Sequence, residues 1–237
     1  MSVGQDARTA LLRKFRDKYG REPTIVAYAP GRVEILGNHT DYNEGYVLST
    51  ATNFGTYFAA APRDDGMVRL TAGDVMDESL FEAANPTPSK DKMWANYVKG
   101  VLAGLNSIRP AAKGCDAMFL GDIPLGAGLS SSAALEVSAG LAFARLYGME
   151  VDKMELARIG QKAEHEYAGV KCGLLDQVSS IYGKKDNLVL SDFRTYDISH
   201  VPISGEICFL MCNSNVRHAL VDGAYNERRE RCEQAAA

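Results

Sequence analysis

Between residues 24 and 72 the chain breaks into short runs rich in Val, Ile, Tyr, Phe and Thr, at 24–29, 33–36, 46–50, 55–61 and 67–72, separated by Gly, Pro, Asn and Asp. That is strand patterning, and a block of strands has a face that must be buried against other elements. Helical periodicity stands on either side of it. Leu11, Leu12, Phe15 and Tyr19 line one face of a helix over residues 6–19, which Gly20 and Pro23 end. Downstream the pattern predicts helices at 94–105, 130–147, 153–167, 173–182 and 223–237, and strands at 116–120, 187–190 and 207–212. Strands clustered first and helices later give an α+β fold with mixed or antiparallel sheets covered by helices, not a doubly wound parallel sheet.

Composition narrows the function class. Five cysteines, Cys115, Cys172, Cys208, Cys212 and Cys232, are odd in number and make no C-x-x-C pair. This argues against a disulfide framework or a zinc site and for a reducing, cytoplasmic setting. The first nineteen residues interleave Asp6, Arg8, Arg13, Lys14, Arg16, Asp17 and Lys18 with the apolar positions, so no export signal is expected there, and no apolar stretch approaches a membrane span. With a net charge of -4 and the basic residues dispersed, no positive face for nucleic acid is expected. A small-molecule substrate remains.

Three stretches carry the chemistry. The first, PLGAGLSSSAA at 124–134, joins a strand to a helix. Gly126 and Gly128 let a ligand approach the backbone, the helix start offers unpaired N–H groups to a phosphate, and Ser130, Ser131 and Ser132 add hydroxyls for phosphate or Mg²⁺. The alternative is an N-capped helix after a glycine turn. No Walker sequence, G-x-G-x-x-G or G-x-S-x-G occurs. The second, PGRVEILGNHTDYN at 30–43, places Asn38, His39 and Asp41 in one loop, a donor and acceptor set suited to a polyol; the alternative is a polar β-hairpin. The third, AEHEYAGVKCGLLDQ at 163–177, brings Asp176 into an apolar setting. There it could take a proton from a substrate hydroxyl if a cation such as Arg32 keeps it ionised; the alternatives are a helix cap and, for Glu164, a solvated helix face.

Together the stretches resemble the GHMP family of small-molecule kinases, and within it the galactokinases, over essentially the whole chain. The signature G-R-V-x-x-x-G-E-H-T-D-Y falls at 31–42, P-x-G-x-G-L-S-S-S-A at 124–133 and C-G-x-x-D-Q at 172–177, with lesser likenesses at 94–100 and 213–218. The resemblance implies a two-domain fold and transfer of the γ-phosphoryl group of Mg·ATP to the anomeric hydroxyl of galactose or a related sugar. It implies Asp176 as base and Arg32 as the cation beside it. Ser132 and Glu164 are implied as Mg²⁺ ligands, and Gly126, Gly128, Ser130, Ser131 and Ser132 as the ATP-phosphate cradle. Trp94 would lie near the adenine, and Asn38, His39, Asp41, Gly173 and Tyr225 near the sugar.

Two departures qualify the resemblance. Asn38 stands where the signature has glutamate, which removes a negative charge and opens the possibility of a 6-carboxylate sugar such as galacturonate. The glycine-rich G-A-G-x-G-G run of the family is missing from the sequence. The expectation is a first domain over 1–200 and the beginning of a second over 201–237, monomeric at full length and poorly active as this chain alone. An alternative of another class is a sugar- and ATP-sensing regulator of the same fold; the intact Asp176 and serine loop favour the enzyme.

Overall fold

The computed structural model describes residues 3–111, 113–124, 126–212 and 224–236, with side chains for all but 3–5, 224 and 225. In chain order these form α1 (Val3–Tyr19), β1 (Ile25–Leu36), β2 (Tyr46–Arg63), β3 (Met67–Ala72), β4 (Asp77–Glu82), α2 (Met93–Ile108), β5 (Gly114–Gly121), α3 (Ser131–Leu146), α4 (Lys153–Ala163), a π-helical turn (Glu164–Ala168), α5 (Leu175–Tyr182), β6 (Asn187–Asp192), β7 (Asp197–Pro202) and α6 (Ala224–Ala236). The fold is α+β, as the patterning predicts.

The sheet is organised around β2. β1 runs antiparallel along one edge from Ile25 opposite Ala60 to Leu36 opposite Leu48. The other edge is shared, Tyr46–Ser49 pairing with β6 and Thr56–Arg63 with β5. Beyond β5 lie β3, parallel to it, and β4; beyond β6 lies β7. The second half of β2 is buried on both faces, which is why 55–61 reads as continuously apolar. Phe58 and Ala60 join the main core with Val101, Leu102, Leu105 and Phe143, whereas Ala59 and Ala61 pack on Leu11 and Phe15 of α1.

The sequence reading departs from this in ways with local causes. The runs 24–29 and 33–36 are one strand, because the register slip between Pro30 and Arg32 absorbs the irregularity as a bulge. Likewise 46–50 and 55–61 are both within β2. β4 carries no strand pattern in its sequence, DESLFE, which is polar, with only Ser79 and Phe81 facing inward. β7 is equally unmarked in the sequence, being an exposed strand closed by Pro202. The strand expected at 207–212 does not form: among the described residues nothing pairs with it, and Leu210 is 88% exposed. The helix expected over 153–167 changes to a π turn at Glu164.

Candidate active site

β5 leads into the glycine–serine loop and then α3. Gly126 and Gly128 both have φ of 71°, a left-handed conformation that side chains resist. Ser130 is left-handed as well (φ 55°), and its hydroxyl does not cap α3 but donates to Asp176 Oδ2 at 2.6 Å. Strain of this kind, about 1–3 kcal/mol, persists where neighbours hold it in place. Ser131 and Ser132 open the helix and line a cavity of ≈ 490 Å³, whose walls include Thr56, Val75, Trp94 and Phe119. Trp94 is fixed there by its indole N–H, which donates to Asp77 Oδ2 at 2.9 Å, and lies 5.7 Å from the Phe119 ring.

Asp176 occupies the first turn of α5, beside the mouth of this loop. Arg32 grips it, Nε donating to Oδ1 at 2.8 Å and Nη2 to the same oxygen, while Nη1 donates to the Gly128 carbonyl at 2.7 Å. One guanidinium therefore ties strand, glycine–serine loop and carboxylate together. The bulge that aims it is pressed against the loop: Arg32 N–H reaches Leu129 O at 3.2 Å, and a β-carbon on Gly31 would stand 2.6 Å from that same oxygen.

Glu164 opens the π turn, a register change that often marks functional positions. It is buried, and burial pushes its carboxyl up to about 7; a hydrogen bond from Ser132 pulls the other way and the charge of Asp176 adds to the rise. A buried carboxylate paired with a hydroxyl, and with no salt bridge among the described residues, suits a hard cation with oxygen ligands. No cluster of three or more His, Cys, Asp or Glu ligands occurs among the described residues, so a Mg²⁺ ion here would need phosphate oxygens and water to complete its shell. Behind Glu164 lies Glu136 of α3, 1% exposed, which accepts a hydrogen bond from Gln177 Nε2 at 2.9 Å. Burial first, then the charges of Glu164 and Asp176, lift its carboxyl well above the ordinary range, against the Gln177 bond.

The loop between β1 and β2 is both a hairpin connection and a polar site. Thr40 closes it, its hydroxyl near Gly37 O and Tyr46 O, each at 2.7 Å. Asp41 turns inward: its Oδ2 accepts the Leu175 N–H at 3.2 Å, and a β-carbon on Gly173 would fall 1.7 Å from that oxygen. Burial raises the Asp41 carboxyl, the backbone bond opposes, and Asp176 adds to the rise. His39 is left-handed (φ 63°), with Nδ1 2.7 Å from the Tyr42 hydroxyl and Nε2 3.4 Å from Arg228 of α6. Asn38 is exposed. Asp176, Arg32, Ser130, Asp41 and Gly173 thus come together, while Ser131, Ser132 and Trp94 line the cavity and Glu164 is joined to them through Ser132. The Tyr225 side chain and residues 213–218 lie outside the described residues.

Two residues were not singled out from sequence. Glu34, two positions from Arg32 on β1, is close enough for its carboxyl to feel Arg32, Asp41, Asp176 and His39; strand alternation counted from Arg32 would have found it. Glu136, a buried acid in an Ala-rich helix, carried no motif.

Residues 96–184 match the family model described as GHMP kinases N terminal domain, and residues 13–62 that of the galactokinase galactose-binding signature. The chain is 42% identical over 226 residues to the galactokinase of Pasteurella multocida (strain Pm70), covering 94% of this chain and 59% of that protein. It is also 42% identical over 225 residues to the galactokinase of Actinobacillus succinogenes, covering 94% of this chain and 58% of that one. The chain therefore spans about three fifths of the length of these curated relatives. The crystal structure of Lactococcus lactis galactokinase complexed with galactose superposes with a TM-score of 0.86 at 32% identity, over 96% of this chain and 60% of that one. The mevalonate kinase of Methanococcus jannaschii shares the fold alone, with a TM-score of 0.61 at 19% identity, over 77% of this chain and 56% of its own.

Proposed function

We propose that this chain is a GHMP kinase of the galactokinase type, which binds ATP and galactose and transfers the γ-phosphoryl group to the anomeric hydroxyl of the sugar. The observation that carries this reading is the position of Asp176, held by Arg32 and Ser130 between the glycine–serine loop and Asp41. Phosphoryl transfer asks a protein mainly for alignment and for positive charge near the phosphate oxygens.

The assigned roles follow from placement. The cavity is of a size that suits a nucleotide base and sugar, with Trp94 and Phe119 as its aromatic walls. The loop N–H groups and the start of α3 receive the phosphates. Ser132 and Glu164 would hold Mg²⁺, which when bound neutralises phosphate charge. Asp41 and the His39 loop fix the sugar. Asp176 accepts the proton of the anomeric hydroxyl as its oxygen bonds to the γ-phosphorus and the bond from that phosphorus to the ADP oxygen breaks. Arg32 stabilises the charge that develops between them.

The test combines binding with turnover. Calorimetric titration with Mg·ATP and with galactose should show both ligands binding, and a coupled assay on the protein at the full length of its relatives should show galactose-dependent ADP release. Asp176→Ala should lose about 10²–10⁴ of that rate while keeping ATP affinity. Binding of neither ligand would overturn the proposal; ligand binding with unchanged turnover in Asp176→Ala would remove Asp176 from the mechanism. No helix among the described residues is long and apolar enough to cross a membrane.

A further inference from the structure

β1 carries a second charged side chain on the face that holds Arg32. Residues two apart on a strand share a face, and the pairing runs without a slip from Arg32 opposite Ala51 to Glu34 opposite Ser49. Ser49 is fully buried, its hydroxyl 2.7 Å from that of Ser179 on α5. Glu34 therefore points to the side of the sheet that α5 covers, where Asp176 stands.

Its surroundings are specific. The carboxyl is half-buried, and burial raises it foremost; Arg32 opposes, Asp41 and Asp176 add to the rise and His39 opposes. Three carboxylates, from β1, from the loop and from α5, thus lie within range of one another's charge, and Arg32 and His39 within range of Glu34. Asp176 is taken up by Arg32 and Ser130, and Asp41 by the Leu175 N–H. Among the described residues no hydrogen bond engages the Glu34 carboxylate. Such an acceptor, half-buried in a polyol site, is suited to a ligand hydroxyl. Meanwhile the loop has an amide at Asn38, where the signature carries a carboxylate, and Asn38 is exposed.

We propose, resting on the sugar-kinase reading above, that Glu34 is a specificity-determining residue of the sugar site. It accepts a hydrogen bond from a hydroxyl other than the one phosphorylated, and its charge replaces the one missing at position 38. A neutral hexose satisfies all three carboxylates by donating to them. A hexuronate brings a fourth negative charge into the same space and is refused, since like charges in a desolvated site are strongly unfavourable. The site is selective for neutral sugars despite Asn38.

The experiment measures galactose and galacturonate with the wild-type protein at the full length of its relatives and with its Glu34→Gln and Glu34→Ala variants, by calorimetry for affinity and by ADP release for KM and kcat. Mg·ATP affinity serves as the check on folding. The wild type is expected to prefer galactose over galacturonate by at least about tenfold. Glu34→Gln should weaken galactose about tenfold, mainly in KM, narrow the preference over galacturonate, and leave ATP affinity unchanged. A wild type that takes galacturonate as well as galactose overturns the proposal whatever the variants do. So does a Glu34→Gln variant with unaltered galactose affinity and selectivity, and in that case the kinase reading stands. A wild type that binds ATP but no sugar brings down both.

Discussion

Arg32 is the residue on which most of the site depends, because its three donors are divided between Asp176 and the Gly128 carbonyl. Arg32→Ala should lower turnover by about 10²–10³, the range for removing one preorganised charge or donor, read as kcat at saturating Mg·ATP. Glu136 makes the opposite prediction. Burial, and after it the charge of Glu164, push its carboxyl well above the ordinary range; a neutral amide of the same shape goes in the direction of that shift, so Glu136→Gln should cost little stability. Glu136→Ala should lose about 2 kcal/mol or more in denaturant unfolding, through the cavity and the orphaned Gln177 amide. At this scale the motifs point to Asp176, Arg32 and Asp41, which the fold brings into one neighbourhood. The sequence is silent where a side chain's direction depends on partners far along the chain: nothing local announces that the Ser130 hydroxyl crosses to Asp176, or that Glu34 meets residues from a loop and a helix.

The bulge in β1 and the glycine–serine loop are two elements built as one. Gly31→Ala would place a methyl group 2.6 Å from Leu129 O and push strand and loop apart. It should destabilise the protein by about 1–3 kcal/mol, the usual range for overpacking, and weaken Mg·ATP binding together with the melting temperature. A variant that melts early yet binds Mg·ATP as the wild type does would show that the loop keeps its shape without the strand. Elements with strong periodicity, such as α2 and the apolar half of β2, are legible in sequence because burial alone writes their pattern. β4 and β7 are not, since a strand that buries little has little apolar pattern to display. The π turn is invisible for another reason: Glu164–Ala168 has ordinary helical composition, and the extra residue per turn shows only in the hydrogen bonding.

Across the whole molecule, the turn that follows α1 is laced to β2, β3 and β5 at Asp116, buried at the sheet. Arg21 reaches its Oδ2 at 2.5 Å, and Arg63 and Arg69 reach Oδ1, each at 2.9 Å. Burial raises this carboxyl, but the three arginines outweigh it and hold it below the ordinary aspartate value. A carboxyl lower in the folded than in the unfolded state gives stability that is in place above about pH 4 and lost as pH falls further. Asp116→Asn should therefore flatten the acid side of a stability-versus-pH curve, and Asp116→Ala should lose about 3 kcal/mol near neutral pH by leaving the arginines uncompensated. The α+β architecture was legible from the order of patterns; this clasp was not, because its members lie 95 positions apart at the widest, Arg21 to Asp116. The shared edge of β2 has a further consequence for how such a protein can change over time. Thr56 borders the cavity while Ser49 lies beneath α5, and the strand between them, at about 3.3 Å per residue, sets a fixed ruler of roughly 23 Å. Exchanging one side chain along that ruler retunes either compartment by itself. Adding or deleting a single residue would alter the gap between them and turn every later side chain to the wrong face, so new specificities can arise here by replacement but not by changes of length.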